Sequence, residues 1–64
     1  MNAKPEVKFH HADEVEIGYS AILYGVRGHY YLGNEPIVRT SYVVDIREDG
    51  RVIETRNTIY VQEE

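Results

Sequence analysis

The dipeptide Asp49-Gly50, set between two stretches of alternating apolar residues, is the feature that most constrains the fold. Asp-Gly in this setting is typical of a two-residue type I′ turn, because both central residues of that turn have positive φ. Folding the chain about this turn places Ile46 opposite Ile53 and predicts a β-hairpin over residues 38–61. The sequence therefore predicts antiparallel β structure.

The rest of the hairpin register follows from that first pair. Moving away from the turn, it predicts the pairs Val44–Thr55, Tyr42–Asn57, Thr40–Ile59 and Val38–Val61. One face of the hairpin is then mostly apolar. The other face is mostly polar and carries Arg39, Ser41, Val43, Asp45, Glu54, Arg56, Thr58 and Tyr60. A one-residue slip would move each apolar set to the wrong side, so turn chemistry and burial pattern agree.

Two polar residues fall on the predicted apolar face. Thr55 and Asn57 lie there between Ile53 and Ile59, with Tyr42 opposite Asn57. A buried amide must have hydrogen-bond partners, since leaving it unpaired costs stability. These side chains are expected either to form an internal polar network, which is the favoured interpretation, or to line the floor of a ligand pocket.

The first half of the chain also has a strand pattern. Apolar residues alternate with polar ones from Val15, and the alternation shifts at Gly25 and Gly28. Glycine inside a strand pattern indicates a bulge or bend, so residues 14–32 are expected to form one long bent strand or two strands meeting at a glycine corner. Residues 33–36, Gly-Asn-Glu-Pro, are the next predicted turn. No segment has the periodicity of a substantial helix.

These patterns predict a single all-β domain over residues 1–64, a small antiparallel meander of three to four strands that is curled or barrel-like. Residues 1–13 are expected to be an N-terminal arm, with a short edge strand at Val7 and Phe9, and residues 62–64 a frayed tail. Cysteine is absent, so disulfides and thiolate metal sites are excluded. A chain this short has a marginal core, which favours a homodimer formed through a strand edge or a second apolar face.

Composition also bears on location and partners. The N-terminus has no apolar segment typical of a secretory signal, and no apolar run approaches the length that spans a bilayer, so a cytoplasmic protein without membrane contact is expected. The formal net charge of −4 argues against nucleic acid as a partner, because such binding depends on an excess of Lys and Arg.

The sequence has no complete catalytic or metal-binding signature. Ser20 and Ser41 lack the context of an activated nucleophile, and Gly25-x-x-Gly28 lacks the rest of a phosphate-binding loop. The run His10-His11 precedes Asp13 and Glu14, but adjacent residues of an extended segment point to opposite sides. The sequence predicts no enzyme, no cofactor and no metal site.

The part of the chain after Val15 is rich in tyrosine and arginine. The chain has six tyrosines, and every cation after Val15 is an arginine. Both residue types are enriched at the energetically important positions of interfaces. In the predicted register Arg39 faces Tyr60 and Arg56 faces Val43, while Arg27, His29 and Tyr31 share one strand face, on which His29 is the best acid–base candidate. The predicted binding surface consists of Arg27, His29, Tyr31, Arg39, Arg56 and Tyr60.

Four segments together resemble a known group of sequences. They are residues 21–29 (AILYGVRGH), 32–34 (LGN), 38–44 (VRTSYVV) and 54–60 (ETRNTIY). In this combination the chain resembles a group of short uncharacterised proteins from tailed phages and prophages, although Tyr30 stands where that pattern often has proline. The resemblance implies a phage protein that works in the cytoplasm of an infected or lysogenic bacterial host.

Three functions are then open. The first is a non-catalytic protein that binds and modulates or inhibits a host protein, for instance one of a defence system. The second is a small-ligand or nucleotide sponge, in which arginine side chains bind phosphate and tyrosine rings stack. The third, a single-stranded nucleic-acid binder, is disfavoured by the negative charge.

Overall fold

The chain is all-β, as predicted. The computed structural model describes residues 4–30 and 32–63, and none of the helical segments in this part of the chain is long and apolar enough to cross a membrane. The strands are Glu6–Phe9 (β1), His11–Ala12 (β2), Ser20–His29 (β3), Gly33–Arg47 (β4), Val52–Thr55 (β5) and Ile59–Gln62 (β6), and a single turn, Glu48–Gly50, joins β4 to β5.

The sheet closes into a five-stranded barrel. Its strands neighbour one another in the order β1, β6, β5, β4, β3, and β1 also pairs with β3. The β1–β6 pairing is parallel, the other pairings are antiparallel, and β2 adds a short extra strand along β3. The predicted arm over residues 1–13 thus contains the strand that closes the barrel; residues 1–3 lie outside the described chain. In the predicted tail, Gln62 belongs to β6, and Glu64 lies outside the described chain.

The core fills the inside of this barrel. Val7 and Phe9 from β1 are each 1 % exposed, so the N-terminal segment supplies part of the core as well as the closing strand. The other buried apolar side chains come from β3, β4, β5 and β6: Ala21, Leu23, Val26, Val38, Val43, Ile53 and Tyr60. Closure removes most of the free sheet edges that a flat meander would leave exposed.

The predicted turn at Asp49-Gly50 is present in the structure. Asp49 has φ 57° and ψ 36° and Gly50 has φ 89°, as a type I′ turn requires. The backbone N–H of Arg51 donates to the carbonyl of Glu48 at 3.1 Å and closes the turn. Ile46 pairs with Ile53. Both the turn and the first pair of the predicted register are confirmed.

The predicted register is wrong beyond that pair, beginning at Val44. A β-bulge lies between Val43 and Asp45, so Val43, not Val44, faces Thr55. An extra residue in one strand reverses the faces of the residues beyond it. Val43 is therefore buried, whereas Val44 is exposed on the outer surface.

The far half of the predicted hairpin is also wrong, because the second strand does not continue. The chain turns after β5 and β6 folds back onto it, so that Ile53 pairs with Tyr60 and Glu54 with Ile59. The predicted pairs Tyr42–Asn57, Thr40–Ile59 and Val38–Val61 do not form. That half of β4 pairs with β3 instead, with Val38 opposite Leu23.

Thr55 explains why the strand ends where it does. Its backbone N–H donates to the carbonyl of Thr58 at 2.8 Å, and its hydroxyl donates to the same carbonyl at 3.2 Å. The hydroxyl oxygen also accepts the backbone N–H groups of Thr58 at 3.2 Å and Asn57 at 3.4 Å. Threonine and asparagine favour such local side-chain-to-backbone bonds over a sheet ladder. Thr55 is thus part of an internal network, but Asn57 is exposed and the prediction that it is buried is wrong.

A second bulge bends β4 near Thr40. The pairing between β3 and β4 shifts register between Ser20 and Ile22, which leaves the N–H of Ala21 without a carbonyl partner in the ladder. The hydroxyl oxygen of Thr40 accepts this N–H at 2.9 Å and donates its own proton to the carbonyl of Ser41 at 2.7 Å. Thr40 is buried, so its side chain satisfies a polar group that the bend would otherwise leave unpaired.

The first half of the chain differs from prediction in two places. Among the described residues of the 14–32 segment, only Ser20–His29 is a strand, and this single strand contains both Gly25 and Gly28 at positive φ. Tyr30 and Leu32 lie in the β3–β4 connection, and His29 pairs with Gly33. The predicted turn at residues 33–36 is therefore wrong, since these residues already belong to β4.

Candidate binding cleft

The most promising site lies between β4 and the turn that joins β5 to β6. A depression of about 410 Å³ opens there, and we call it the Arg56 cleft. The start of β3 and the middle of β4 form one wall, and the turn forms the other. Its lining residues are Ser20, Ser41, Tyr42, Arg56 and Asn57.

The turn that presents Arg56 is well ordered by its own hydrogen bonds. Thr55 and Thr58, which flank Arg56 and Asn57, are 1 % and 2 % exposed, and the bonds described above join them. The two residues at the tip are exposed. Because the backbone of the tip is fixed by the buried threonines, Arg56 loses less conformational freedom on binding than an arginine on a loose loop would.

The electrostatic setting of Arg56 differs from that of other arginines. Arg27 lies 3.3 Å from a carboxylate oxygen of Glu63, and Arg47 lies 3.1 Å from one of Glu54. Within residues 4–30 and 32–63, Arg56 and Arg39 have no ion-pair partner, and no carboxylate lines the Arg56 cleft. In a chain of formal charge −4, this cleft is set up to attract an anionic group.

An exposed apolar patch adjoins the cleft. The N–H of Gly18 donates to the carbonyl of Val43 at 2.8 Å, and the N–H of Val43 donates to the carbonyl of Tyr19 at 3.0 Å, so the loop before β3 lies against this part of β4. Around this contact are side chains that are 45–65 % exposed: Ile17, Tyr19, Tyr42 and Val44. Tyr42 belongs to both the patch and the cleft. Aromatic and arginine side chains side by side are typical of protein-binding surfaces.

A second depression, of about 240 Å³, lies at the neighbouring end of the barrel and shares Ser41 and Asn57 with the cleft. Its floor is a polar cluster around His29. The Nδ1 atom of His29 accepts the N–H of Leu32 at 3.0 Å, so the neutral ring carries its proton on Nε2, 3.4 Å from the Tyr60 hydroxyl. The His29 ring stacks on Tyr30 with centroids 4.6 Å apart.

This cluster closes the end of the barrel. The Tyr30 hydroxyl lies 3.2 Å from the hydroxyl of Thr58, so the β3–β4 connection is tied to the β5–β6 turn. Tyr60 is 3 % exposed, and burial raises the pKa of its hydroxyl above the ordinary value. A neutral, buried tyrosine paired with a buried histidine supports the barrel and is not an exposed ligand group.

The described residues of the predicted binding surface do not form one site: His29, Arg39 and Tyr60 line the barrel-end depression, and Arg56 lines the Arg56 cleft. Arg27 is exposed, but the bulge at Gly28 turns His29 inward, so the two do not share a face. Tyr31 lies outside the described residues. Arg39 pairs with Ile22 across β3 and does not stack on Tyr60 as a cross-strand neighbour, although both line the barrel-end depression.

Of the predicted set, Arg56 is the residue that lines the cleft, but it does not face Val43 as predicted, because it lies on the turn. The sequence-based surface omitted the residues around it, Ser20, Ser41, Tyr42 and Asn57. The signal for Asn57 was available, because Thr-Arg-Asn-Thr is rich in turn-forming residues. The exposure of Tyr42 depends on the bulges in β4, which no glycine marks.

The paired histidines have separate local environments. The backbone N–H of His10 donates to the carbonyl of Tyr24 at 2.9 Å, and the His10 side chain packs against Gly25. The ring of His11 stacks on Tyr24 with centroids 5.8 Å apart, and its Nε2 lies 3.4 Å from a carboxylate oxygen of Asp13. Within the described chain, no group of three or more His, Asp or Glu side chains is placed to hold a metal ion.

Comparison of the chain with protein-family models, with curated proteins and with solved structures finds no match, so the functional argument rests on the Arg56 cleft itself.

Proposed function

We propose that this chain is a non-catalytic binding protein of the phage type, and that its Arg56 cleft receives an acidic segment of a host protein. The observation that carries the proposal is the state of Arg56: it is exposed, has no acidic partner in the described chain, and projects from a turn fixed by buried threonines. A guanidinium in this state is ready to bind a carboxylate with two parallel hydrogen bonds.

The neighbouring patch supports a protein as the partner. Tyr42, which lines the cleft, is 60 % exposed, and Tyr19, whose carbonyl accepts the N–H of Val43, is 65 % exposed. Both offer rigid rings that a partner can cover at low entropic cost. Serine and asparagine in the cleft can donate further hydrogen bonds to the same acidic group. A charged anchor next to an aromatic surface is the usual arrangement of a protein interface.

The resemblance to tailed-phage proteins is the basis for proposing that the partner is a host protein in the host cytoplasm. A small phage protein with an exposed binding surface can act by occupying a functional surface of a host protein, such as one of a defence system. The negative net charge supports a partner with local complementarity to Arg56 over a nucleic acid, whose phosphates the chain as a whole would repel.

The test is capture from infected cells with the tagged chain, comparing Arg56→Glu with the wild type. Arg27→Ala is the matched control, since Arg27 is also exposed but already pairs with Glu63. We expect a host protein in stoichiometric amount with the wild type and the control, and its loss with Arg56→Glu. With the purified partner, Arg56→Ala should weaken binding by about 2 kcal/mol, the scale of an interface anchor.

Other outcomes contradict the proposal. If the folded Arg56→Glu variant captures the same protein as the wild type, the cleft is not the binding surface. If mass spectrometry instead finds a nucleotide retained by the wild type and lost in Arg56→Glu, the chain is the small-ligand sponge, in which Arg56 binds phosphate and Tyr42 stacks on the base.

A further inference from the structure

Two depressions on the surface of the barrel have residues in common. Ser41 from β4 and Asn57 from the β5–β6 turn line both the Arg56 cleft and the barrel-end depression. Arg56 lines the first depression, and Arg39 lines the second. The two depressions therefore adjoin, with one arginine in each, and we call them together the two-arginine groove.

The charge of this groove is opposite to that of the chain as a whole. The formal net charge is −4, with 11 Asp and Glu residues against 7 Lys and Arg. Three other depressions are each lined by at least two carboxylates: Asp13, Glu14 and Asp49 in one, Glu35 and Glu63 in another, Glu6 and Glu48 in the third. Within the described residues, no carboxylate lines either half of the two-arginine groove. The groove is therefore a place where an acidic molecule can attract an anion.

The polar side chains of the groove are available for binding. Arg39 and Arg56 are exposed, and neither has an ion-pair partner within residues 4–30 and 32–63. The side chains of Ser41 and Asn57 are also exposed and make no hydrogen bond with that part of the chain. A hydroxyl and an amide can each donate a hydrogen bond to a carbonyl. Two cations and two neutral donors thus face one groove without internal partners.

We propose that the two-arginine groove binds an extended segment of the host protein that carries acidic residues at two alternate positions, one for each arginine. This inference rests on the proposed function and deepens it, because it adds Arg39 as a second binding residue and specifies the sequence of the partner. In an extended chain, side chains two positions apart point to the same side and are separated by about 7 Å, whereas adjacent ones point to opposite sides. Alternate spacing therefore lets both carboxylates reach a guanidinium, while Ser41 and Asn57 donate to the backbone between them.

Short synthetic peptides with Gly-Ser flanks test this arrangement by NMR titration of the isotope-labelled chain. One peptide carries Glu-Gly-Glu at its centre, one carries the same residues as Glu-Glu-Gly, and one carries Glu-Gly-Gln. The first two have equal charge, so a difference between them reports the spacing and not the general attraction of an acidic peptide. The Glu-Gly-Glu peptide should bind about tenfold more tightly than either of the others, since each of these loses one charge-assisted pair.

Removing either arginine should abolish that preference. In Arg39→Gln and in Arg56→Gln, the Glu-Gly-Glu and Glu-Gly-Gln peptides should bind with about equal affinity, because only one arginine remains for the two acidic groups. Arg27→Gln is the matched control, since Arg27 is exposed but pairs with Glu63 and does not line the groove, and this variant should keep the tenfold preference. The amide spectrum of each variant without peptide checks that the fold is retained.

Several results would overturn the inference. It is wrong if Glu-Gly-Glu and Glu-Glu-Gly bind equally well, if the preference survives in Arg39→Gln, or if none of the peptides binds at millimolar concentration. ADP is titrated in parallel, because its two phosphates could occupy the same arginines. If ADP binds more tightly than the Glu-Gly-Glu peptide, the groove is a nucleotide site and the assignment to a protein segment is wrong.

The capture experiment separates this inference from the proposed function. If the folded Arg56→Glu variant loses the host protein and Arg39→Glu retains it, the Arg56 cleft remains the binding site and the inference of a second arginine fails alone. If Arg56→Glu itself retains the host protein, the proposed function fails, whatever the peptides do. Loss of the host protein in both variants, with capture unchanged in Arg27→Ala, is the result that we expect.

Discussion

Replacing Thr55 by valine should destabilise the protein far more than the similar size of the two side chains suggests. The Thr55 hydroxyl accepts the backbone N–H groups of Thr58 and Asn57 and donates to the carbonyl of Thr58. Valine has almost the same volume, so packing around this 1 % exposed position is retained. The N–H of Thr58, also buried, loses its acceptor.

The expected magnitude follows from these contacts. A buried donor left without a partner costs about 1–3 kcal/mol, and the Asn57 N–H is closer to solvent and costs less. We expect Thr55→Val to lower the free energy of unfolding by about 2 kcal/mol. A domain of this length has a total of roughly 3–10 kcal/mol, so the loss is a large fraction of its stability.

Urea unfolding followed by circular dichroism measures this loss. With a slope of about 1 kcal/mol per molar urea for a small domain, the midpoint should move by about 2 M. Thr55→Ser is the matched control, because it retains the hydroxyl and removes one methyl group worth about 1 kcal/mol. If valine is tolerated better than serine at position 55, the hydroxyl does not hold the turn and the argument is wrong.

Further predictions concern backbone geometry and acid stability. Gly25→Ala should destabilise the fold much more than Gly28→Ala: both have positive φ, but a Cβ at position 25 would lie 2.8 Å from the Cβ of His10, whereas one at position 28 meets nothing within 4 Å. The two variants should therefore differ in thermal midpoint, and equal midpoints would show that φ alone sets the cost. The pKa of Glu54 is lowered by its hydrogen bond to Lys4, so the stabilisation from this pair is present above the carboxyl's unfolded pKa and is lost as the pH falls through the lower folded value. Acid unfolding of Lys4→Met should depend less on pH in that window than that of the wild type, and identical profiles would contradict the pairing.

The sequence predicted the parts of the fold that depend on local chemistry. The Asp49-Gly50 turn needs residues that accept positive φ, and the Ile46–Ile53 pair follows from that turn within a few positions. The all-β class follows from alternation alone. The register failed at Val44, because Val43 and Val44 are both apolar and either one could face the core.

Tertiary contacts decide the rest. The β1 strand contributes Val7 and Phe9 to the core because it pairs with both β6 and β3, and nothing in its own few residues reveals these partners. For the candidate site, the sequence identified Arg56 but not its setting. That setting depends on the turn that ends β5 and on the bends that expose Tyr42. In the turn, the Thr55 hydroxyl bonds to the backbone of Thr58, and near the bend, the Thr40 hydroxyl bonds to the backbone of Ala21 and Ser41.

The parallel pairing of β1 with β6 has a consequence for how the molecule acquires its structure. The first strand of the described chain can complete its pairing only after the last strand has formed, since its residues Glu6 and Phe9 pair with Ile59 and Gln62. Contacts between such distant parts of a sequence slow folding, because the loop between them must be closed before the contact repays that entropy. On the ribosome, Val7 and Phe9 emerge early and then remain without their β6 partner while the rest of the chain is synthesised. Until then these apolar side chains are open to association with other nascent chains.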